Sequence, residues 1–273
     1  MKHSGDQTQW ASPTALWFNA GGHRLRAEWL GPAAGDAPTL VFLHEGLGSI
    51  GQWKDVPATL GAAAGCGVLV YDRWGYGGSE ALPPPHARPV DFMQREGLTT
   101  LPELLDAAGL ERVALVGHSD GATIALLAAS SGDARIRAVV SIAAHLFAED
   151  AGLASIARIR RAWGEADLRA RLAKYHGDNV DGAFLGWANV WLDPAFRAFN
   201  IEPDMAGVTC PVLAIQGTDD EYGGAAQIEA ISRAVAGPVE TLIAAGAGHA
   251  PHFEAWPVIG DAMARFLVAA LKD

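Results

Sequence analysis

Residues 113–124, VALVGHSDGATI, decide the fold of this chain. The apolar run at 113–116 is typical of a buried strand, and an apolar helical segment starts at Ala122. Between them, GHSDG at 117–121 is a Gly-x-Ser-x-Gly motif, which in isolation also occurs in glycine-rich turns with a chance serine. Between a strand and a helix, the glycines allow a sharp turn that exposes the serine on a strained backbone. The context therefore predicts that Ser119 is a nucleophile, beside helix N–H groups that can stabilise negative charge.

Short apolar runs recur along the chain on both sides of this motif. They cover residues 15–18, 25–30, 40–43, 68–71, 113–116, 139–142, 212–215 and 239–243. The first two flank the turn sequence NAGG at 19–22, which predicts an antiparallel hairpin. Helix-length segments lie between the later runs, at residues 52–64, 90–108, 120–130, 225–235 and 258–271. This alternation predicts an α/β fold with a doubly wound, mostly parallel sheet of eight strands.

One region interrupts the alternation. No convincing strand occurs between residues 148 and 206. Apolar residues recur there at helical spacing, namely Leu153, Ile156 and Ala157, then Leu168, Leu172 and Tyr175, then Phe184, Trp187, Ala188 and Trp191. We expect residues 148–206 to form a helical insertion in a core made of residues 1–147 and 207–273.

Composition excludes several classes of protein. Half of the 273 residues are hydrophobic and 19% are charged, so the chain can bury a large core and is neither disordered nor fibrous. A formal net charge of −11 argues against nucleic acid as a partner. The N-terminal sequence MKHSGDQTQWASP lacks the apolar segment of a secretion signal, and no apolar run is long enough to span a membrane.

The two cysteines give no sign of a metal site. Cys66 and Cys210 each precede an apolar run, which predicts small side chains packed at the start of a strand. Two cysteines do not make a zinc cluster, and we expect neither a metal nor a cofactor. The sequence therefore predicts a cytoplasmic protein with reduced thiols and no membrane contact.

A serine hydroxyl becomes a good nucleophile only when a base removes its proton. Residues 246–252, GAGHAPH, follow the last predicted strand and precede the C-terminal helix. His249 is framed by small residues just past the strand, so it can swing over the sheet edge towards Ser119. His252 is the alternative, although its place favours packing beside the next helix. We therefore expect His249 to be the base.

The base in turn needs an acid that holds its tautomer and supports the imidazolium. Residues 216–222, QGTDDEY, follow the strand predicted at 212–215. Asp220 suits a turn that points back to the carboxyl edge of the sheet, and we favour it. The other candidates are Asp219, Glu221 and, after an earlier strand, Glu149 or Asp150.

The chain resembles the α/β-hydrolase superfamily, in the branch with a helical cap between core strands. The chain order serine, aspartate, histidine is that of the family, and the motifs span residues 44 to 252. Residues 72–79, DRWGYGGS, are similar to the family's turn after the fourth strand, which implies a structural role for Asp72. The inserted helices then correspond to the cap, with Phe184, Trp187 and Trp191 lining an apolar acyl or aryl site or merely contacting the core. We expect His176 and Asp178 to be solvated turn residues.

The resemblance also implies an oxyanion hole in the loop after the third strand. That loop usually begins His-Gly, whereas residues 44–49 here read HEGLGS, with Glu45 in place of glycine. The family pattern implies that the Gly46 and Asp120 N–H groups donate, with Glu45 or Leu47 as alternatives to Gly46. The Glu45 side chain either binds substrate or water, or turns away to pair with Arg73 or another cation, which we favour.

The activity that the resemblance implies is that of a metal-free and cofactor-free serine hydrolase. We expect it to cleave a small carboxylic ester, lactone or thioester through an acyl-enzyme, with an apolar acyl or aryl substrate. Serine at position 119 argues against haloalkane dehalogenase or epoxide hydrolase chemistry, which requires an aspartate nucleophile in this family, and against a thiol mechanism. The alternatives are a carbon–carbon bond hydrolase acting on a ring-cleavage diketone, and a ligand receptor that retains the triad.

Overall fold

An eight-stranded sheet organises the chain, as expected. The computed structural model describes Trp10, residues 13–164 and residues 167–272, so most of the polar N-terminal stretch discussed above lies outside the described residues. The strands are β1 (Thr14–Ala20), β2 (His23–Leu30), β3 (Thr39–Leu43), β4 (Gly67–Tyr71), β5 (Val113–His118), β6 (Ile136–Ile142), β7 (Val212–Gly217) and β8 (Val239–Ala244). Their spatial order is β1-β2-β4-β3-β5-β6-β7-β8. β1 and β2 pair antiparallel and β2 joins β4 antiparallel, whereas β3 to β8 are parallel, which confirms the α/β class.

Helices connect the parallel strands. They are α1 (Val56–Ala64), α2 (Phe92–Arg95), α3 (Leu101–Ala107), α4 (Asp120–Ser130), α5 (Asp150–Ala162), α6 (Asp167–His176), α7 (Val180–Trp191), α8 (Ala225–Ala234), α9 (Pro251–Glu254) and α10 (Trp256–Ala270). Alternate residues of the central strands enter two separate hydrophobic clusters: Val41 and Leu115 pack on one face, Leu40 and Val116 on the other. Because successive side chains of a strand point to opposite faces, the sheet has a core on each side.

Two predicted helices are shorter or less regular than expected. The segment expected at 90–108 is divided into α2, a π-helical turn (Glu96–Thr100) and α3. Gly97, in that turn, packs directly against α4, where an added Cβ would come within 2.8 Å of the Ile124 carbonyl oxygen. The segment expected from residue 52 begins as a 3-10 helix (Ile50–Trp53), and α1 starts only at Val56.

The predicted hairpin joins β1 to β2. Gly21 and Gly22 have φ values of 60° and 77°, so both central residues of the turn are left-handed. That conformation matches the right-handed twist of two paired strands and favours glycine at both positions. Pairing runs from Ala20 with His23 back to Thr14 with Trp29.

Helices α5, α6 and α7 occupy the chain between β6 and β7, where no strand was expected. His176, at the end of α6, is buried, whereas we had expected a solvated turn residue. Its Nδ1 accepts a hydrogen bond from the Gly77 N–H at 3.0 Å, and its Nε2 lies 3.0 Å from the Leu47 carbonyl oxygen. The imidazole therefore ties this helical segment to two loops of the core, while Asp178 is exposed as expected.

Three further observations concern the cysteines, the length of the helices and possible metal ligands. Cys66 and Cys210 are free thiols, and burial raises the pKa of each to about 11. None of the helices described is long and apolar enough to cross a membrane. Within residues 13–164 and 167–272 there is no group of three or more side chains arranged to hold a metal ion.

Candidate active site

Ser119 occupies a strained turn between β5 and α4. Its backbone has φ 53° and ψ −121°, and its N–H donates to the Ile142 carbonyl oxygen at 2.8 Å. The flanking glycines have no room for a side chain: a Cβ at Gly117 would lie 2.4 Å from the Gly121 carbonyl oxygen, and one at Gly121 would lie 2.0 Å from that of Leu43. The Gly-x-Ser-x-Gly sequence thus forms the sharp strand-to-helix turn that its spacing predicts.

Ser119 opens onto a cavity of about 250 Å³. The cavity is bounded by the loops after β3, β5, β6, β7 and β8 and by helices α5 and α7. Besides Ser119, the residues that line it are Glu45, Gly46, Leu47, His118, Asp120, His145, Glu149, Gly152, Ile156, Trp187, Trp191, Tyr222, His249 and Ala250. Phe184, predicted to line the site, does not reach it. Its ring is fully buried and stacks on Trp163 with centroids 3.7 Å apart, because that face of α7 turns towards α5.

His249 and Asp220 are in direct contact. His249 Nδ1 lies 2.8 Å from Asp220 Oδ2, and the aspartate is further held by the Gln216 amide at 2.7 Å and the Tyr222 N–H at 2.8 Å. Burial alone would raise the pKa of Asp220, but its hydrogen bonds and the His249 charge lower it below the usual value. Asp220 is therefore an ionised acceptor at neutral pH, and it selects the His249 tautomer with the proton on Nδ1.

The other acidic candidates have different partners. Asp219 accepts from the Thr218 hydroxyl, Glu221 lies near Arg158, and Asp150 pairs with Arg197. Glu149 borders the cavity, but its carboxylate accepts from the Gly224 N–H and the Gln227 amide. The alternative base, His252, is buried outside this cavity with its ring centroid 4.6 Å from that of His118.

Ser119 and His249 border the same cavity without a hydrogen bond between them. Among the described residues, the Ser119 hydroxyl has no hydrogen-bond partner. The His249 ring is surrounded by three others, with centroid distances of 4.7 Å to Tyr222, 5.0 Å to His118 and 5.8 Å to His145. Nucleophile and base commonly close to hydrogen-bond distance only when substrate binds.

The peptide between Glu45 and Gly46 has a fixed orientation. Its carbonyl oxygen lies 2.8 Å from His44 Nδ1 and accepts a second hydrogen bond from Arg73 Nη2 at 2.8 Å. Because the peptide is trans, the Gly46 N–H points the opposite way, and it has no partner among the described residues. The Asp120 N–H is in the first turn of α4, where N–H groups lack partners within the helix. Both amides therefore remain free to donate.

Of the cations considered for the Glu45 side chain, the structure offers His118 and not Arg73. Arg73 is fully buried beneath the loop and reaches the Glu45 carbonyl oxygen. The carboxylate points instead to His118, with Oε2 3.1 Å from Nδ1, and is 26% exposed. Burial would raise the pKa of Glu45, but the His118 contact and the nearby positive charges lower it below the usual value.

Asp72 has the structural surroundings that were expected. Its carboxylate accepts from the Ile50 N–H at 2.7 Å and from the Gly78 N–H at 2.9 Å. Gly77 packs so closely against it that an added Cβ would lie 2.1 Å from Asp72 Cγ. The carboxylate thus braces two loops at one side of the sheet and does not border the cavity at Ser119.

Three cavity residues with titratable side chains were not singled out from the sequence: His118, His145 and Tyr222. His118 stood within the serine motif, and His145 and Tyr222 each follow the carboxyl end of a parallel strand, where ligands bind in open α/β sheets. Burial, with the charge of His249, lowers the pKa of His145 to about 3, so this imidazole is neutral at physiological pH.

Comparisons with known proteins identify the family of the chain. The model of the alpha/beta hydrolase family matches residues 40–261. A putative carbamate hydrolase, RutD, of Variovorax paradoxus is 33% identical over 219 residues, which cover 72% of this chain and 78% of that protein. The human serine hydrolase BPHL is 30% identical over 162 residues, or 56% of this chain and 53% of that protein. The crystal structure of an enol-lactonase from Burkholderia xenovorans superimposes with a TM-score of 0.71 at 20% identity, covering 92% of this chain and 99% of the other, which shows a shared fold.

Proposed function

The chain belongs to the alpha/beta hydrolase family, and from that premise we propose that it is a serine hydrolase that cleaves a small carboxylic ester, lactone or thioester. The observation that carries the proposal is the 2.8 Å contact between His249 Nδ1 and Asp220 Oδ2, on a histidine that shares one cavity with Ser119. A base oriented by an acid, beside a serine on a strained turn, is the arrangement that acyl transfer needs.

In the proposed reaction the Ser119 oxygen attacks the substrate carbonyl carbon while His249 Nε2 takes the hydroxyl proton. Asp220 stabilises the imidazolium that forms. The tetrahedral intermediate collapses, His249 returns the proton to the leaving group, and an acyl-enzyme remains on Ser119. A water molecule, deprotonated by His249, then releases the carboxylic acid and restores the serine.

The proposed oxyanion hole consists of the Gly46 and Asp120 N–H groups. The two hydrogen bonds on the Glu45 carbonyl oxygen support this role, because they direct the Gly46 N–H away from Arg73 and His44. Both donors are backbone groups and need no reorganisation as negative charge develops. Removing one such donor costs about 2.7–4 kcal/mol in the transition state.

The shape of the cavity supports a small, apolar acyl or aryl group. Ile156, Trp187 and Trp191 form its apolar wall, contributed by α5 and α7. No lysine or arginine of the described chain lines it, so an anionic acyl group would lack a counter-charge. We propose that residues 148–206 serve as a cap that supplies this wall, held to the core through His176.

A carbamate is the second candidate substrate. It is favoured by the 33% identity with a relative named as a putative carbamate hydrolase. The same serine would attack a carbamate carbonyl and form a carbamoyl-enzyme in place of an acyl-enzyme.

The proposed chemistry requires neither a metal nor a cofactor. The free thiols of Cys66 and Cys210 support a cytoplasmic location.

A substrate panel tests the proposal. It comprises p-nitrophenyl esters of graded chain length, acyl-thioesters, aryl carbamates and vinylogous diketones, with Ser119→Ala as the inactive variant and Ser131→Ala as the matched surface control. We expect multiple turnover on esters by the parent chain and the control, and none by Ser119→Ala. Preferred turnover of diketones would indicate a carbon–carbon hydrolase. Ligand binding without multiple turnover on any member would contradict the proposal and favour a receptor.

A further inference from the structure

His118 lies between two oxygen atoms that accept hydrogen bonds. Its Nε2 is 2.7 Å from the His249 carbonyl oxygen, and its Nδ1 is 3.1 Å from Glu45 Oε2. The ring is buried, and its side chain is only 6% exposed. The two protein oxygen atoms are therefore the closest partners of its nitrogens.

The two contacts determine where the protons are. A carbonyl oxygen only accepts, so Nε2 carries a proton. An ionised carboxylate also only accepts, and a bare Nδ1 at 3.1 Å would place its lone pair against those of Glu45. With a proton on both nitrogens, His118 is an imidazolium paired with a carboxylate.

The other groups that face His118 do not replace Glu45 as its counter-charge. The rings of His249, His252 and Trp53 lie at centroid distances of 5.0, 4.6 and 6.4 Å. Burial, with the charges of His118, His249 and Lys54, lowers the pKa of His252 well below its usual value, so it is neutral. Glu45 is thus the single anion in contact with this cation among the residues described.

The pair joins three loops that the proposed reaction uses. Glu45 precedes Gly46 after β3, His118 precedes Ser119 at the end of β5, and His249 follows β8. We propose that His118, in contact with Glu45, anchors the His249 backbone through its Nε2–H, so that His118 is a positioning residue for the base; this rests on the proposed function. Asp220 then holds the ring of His249 while His118 holds its main chain.

This assignment predicts a particular pattern of kinetic effects. His118→Gln retains an amide N–H near the position of Nε2, whereas His118→Phe keeps the ring volume and removes the donor. Because a shift of about 1 Å at a catalytic group costs up to about a hundredfold, we expect His118→Phe to lower kcat by about tenfold to a hundredfold with little change in KM. His118→Gln should stay within about fivefold of the parent.

The control is His252→Phe, which makes the same substitution in a neighbouring ring. Because His252 does not contact the His249 carbonyl oxygen, this variant should keep the parent kcat. Thermal unfolding of each variant separates loss of stability from loss of positioning. Equal kcat values for folded His118→Phe and His118→Gln would overturn the positioning role. If the proposed function itself fails, the parent chain will show no turnover at all, so the two failures are distinguishable.

Nitrogen NMR of the histidine rings tests the charge state without turnover. We expect both ring nitrogens of His118 to carry protons in the parent chain, because each faces an oxygen atom. In Glu45→Gln, measured under the same conditions, the counter-charge is absent and only Nε2 should remain protonated. A singly protonated His118 in the parent chain would overturn the ion pair.

Discussion

At the scale of single residues, Asp220 is distinguished from its neighbours by direct contact with the His249 ring. Replacing it with asparagine keeps the shape but removes the charge and allows the wrong histidine tautomer. We expect Asp220→Asn to lower kcat by about 10³- to 10⁴-fold in steady-state ester hydrolysis. Asp219→Asn is the matched control, since Asp219 hydrogen-bonds to Thr218, and it should keep the parent rate. If the two variants lost activity equally, the acid assignment would be contradicted.

Candidate site residues can be predicted from the sequence where a short local motif is typical of a particular chemical role. Ser119 is identified by the glycines around it, and His249 and Asp220 by their positions just after strands. The partner of Glu45 was not predictable, because Arg73 and His118 both lie near it in space and only the side-chain direction decides between them. The burial of His176 was not predictable either, because the Gly77 and Leu47 groups that it contacts are distant from it in the chain.

At the scale of elements, the serine turn depends on close contact between α4 and β3. An alanine Cβ at Gly121 would lie 2.0 Å from the Leu43 carbonyl oxygen, which belongs to the backbone and cannot rotate away. We expect Gly121→Ala to lower the free energy of unfolding by about 2 kcal/mol or more, measured by urea denaturation.

The control for this change is Gly164→Ala, because an added Cβ there meets nothing within 4 Å. It should be neutral or slightly stabilising, since it reduces the freedom of the unfolded chain. A stability loss of the same size in both variants would show that close packing at the turn is not the cause.

The ends of helices and strands were predictable where the hydrophobic periodicity changes. They were less predictable where contacts with distant residues determine the end of an element. The central strands lie within a few residues of their expected positions, since each contains a short apolar run. The π-helical turn (Glu96–Thr100) has no recognisable pattern in the sequence beyond Gly97, which packs closely against α4.

At the scale of the whole molecule, four buried histidines link stability to pH. Burial is the main cause that lowers the pKa values of His44, His145, His176 and His252 in the folded chain. In the unfolded chain the same groups have a pKa near 6.5, so below that pH the unfolded state binds more protons.

We therefore expect these four histidines to make the free energy of unfolding fall as the pH drops from about 6.5 towards their folded pKa values. Asp72, Glu96 and Asp120, whose pKa values burial raises, contribute in the opposite sense. The limiting slope is about 1.4 kcal/mol per pH unit for each histidine. Asp220 and Glu45, whose pKa values are lowered, add a further loss only as the pH falls below about 4. Urea denaturation between about pH 5 and pH 8 measures the slope. His252→Phe should make the loss of stability on acidification smaller than in the parent chain, and an unchanged pH dependence would contradict the neutral state of His252 in the folded chain.

The overall architecture was predictable because the alternation of strands and helices runs through nearly the whole chain. The antiparallel hairpin at Gly21 and Gly22, the parallel sheet and the helical segment between β6 and β7 all have signals in composition and periodicity. Convergence of the site was predictable only in outline, since it depends on loops from five strands meeting at one edge of the sheet.

The most direct test of the proposed mechanism is the intact mass of the protein after exposure to a fluorophosphonate probe, followed by peptide mapping. This reagent phosphonylates an activated serine. The mechanism predicts a single adduct on Ser119 in the parent chain and in Ser131→Ala, and none in Ser119→Ala. An adduct on any other residue, or an undiminished adduct in Ser119→Ala, would contradict the assignment of Ser119 as the nucleophile.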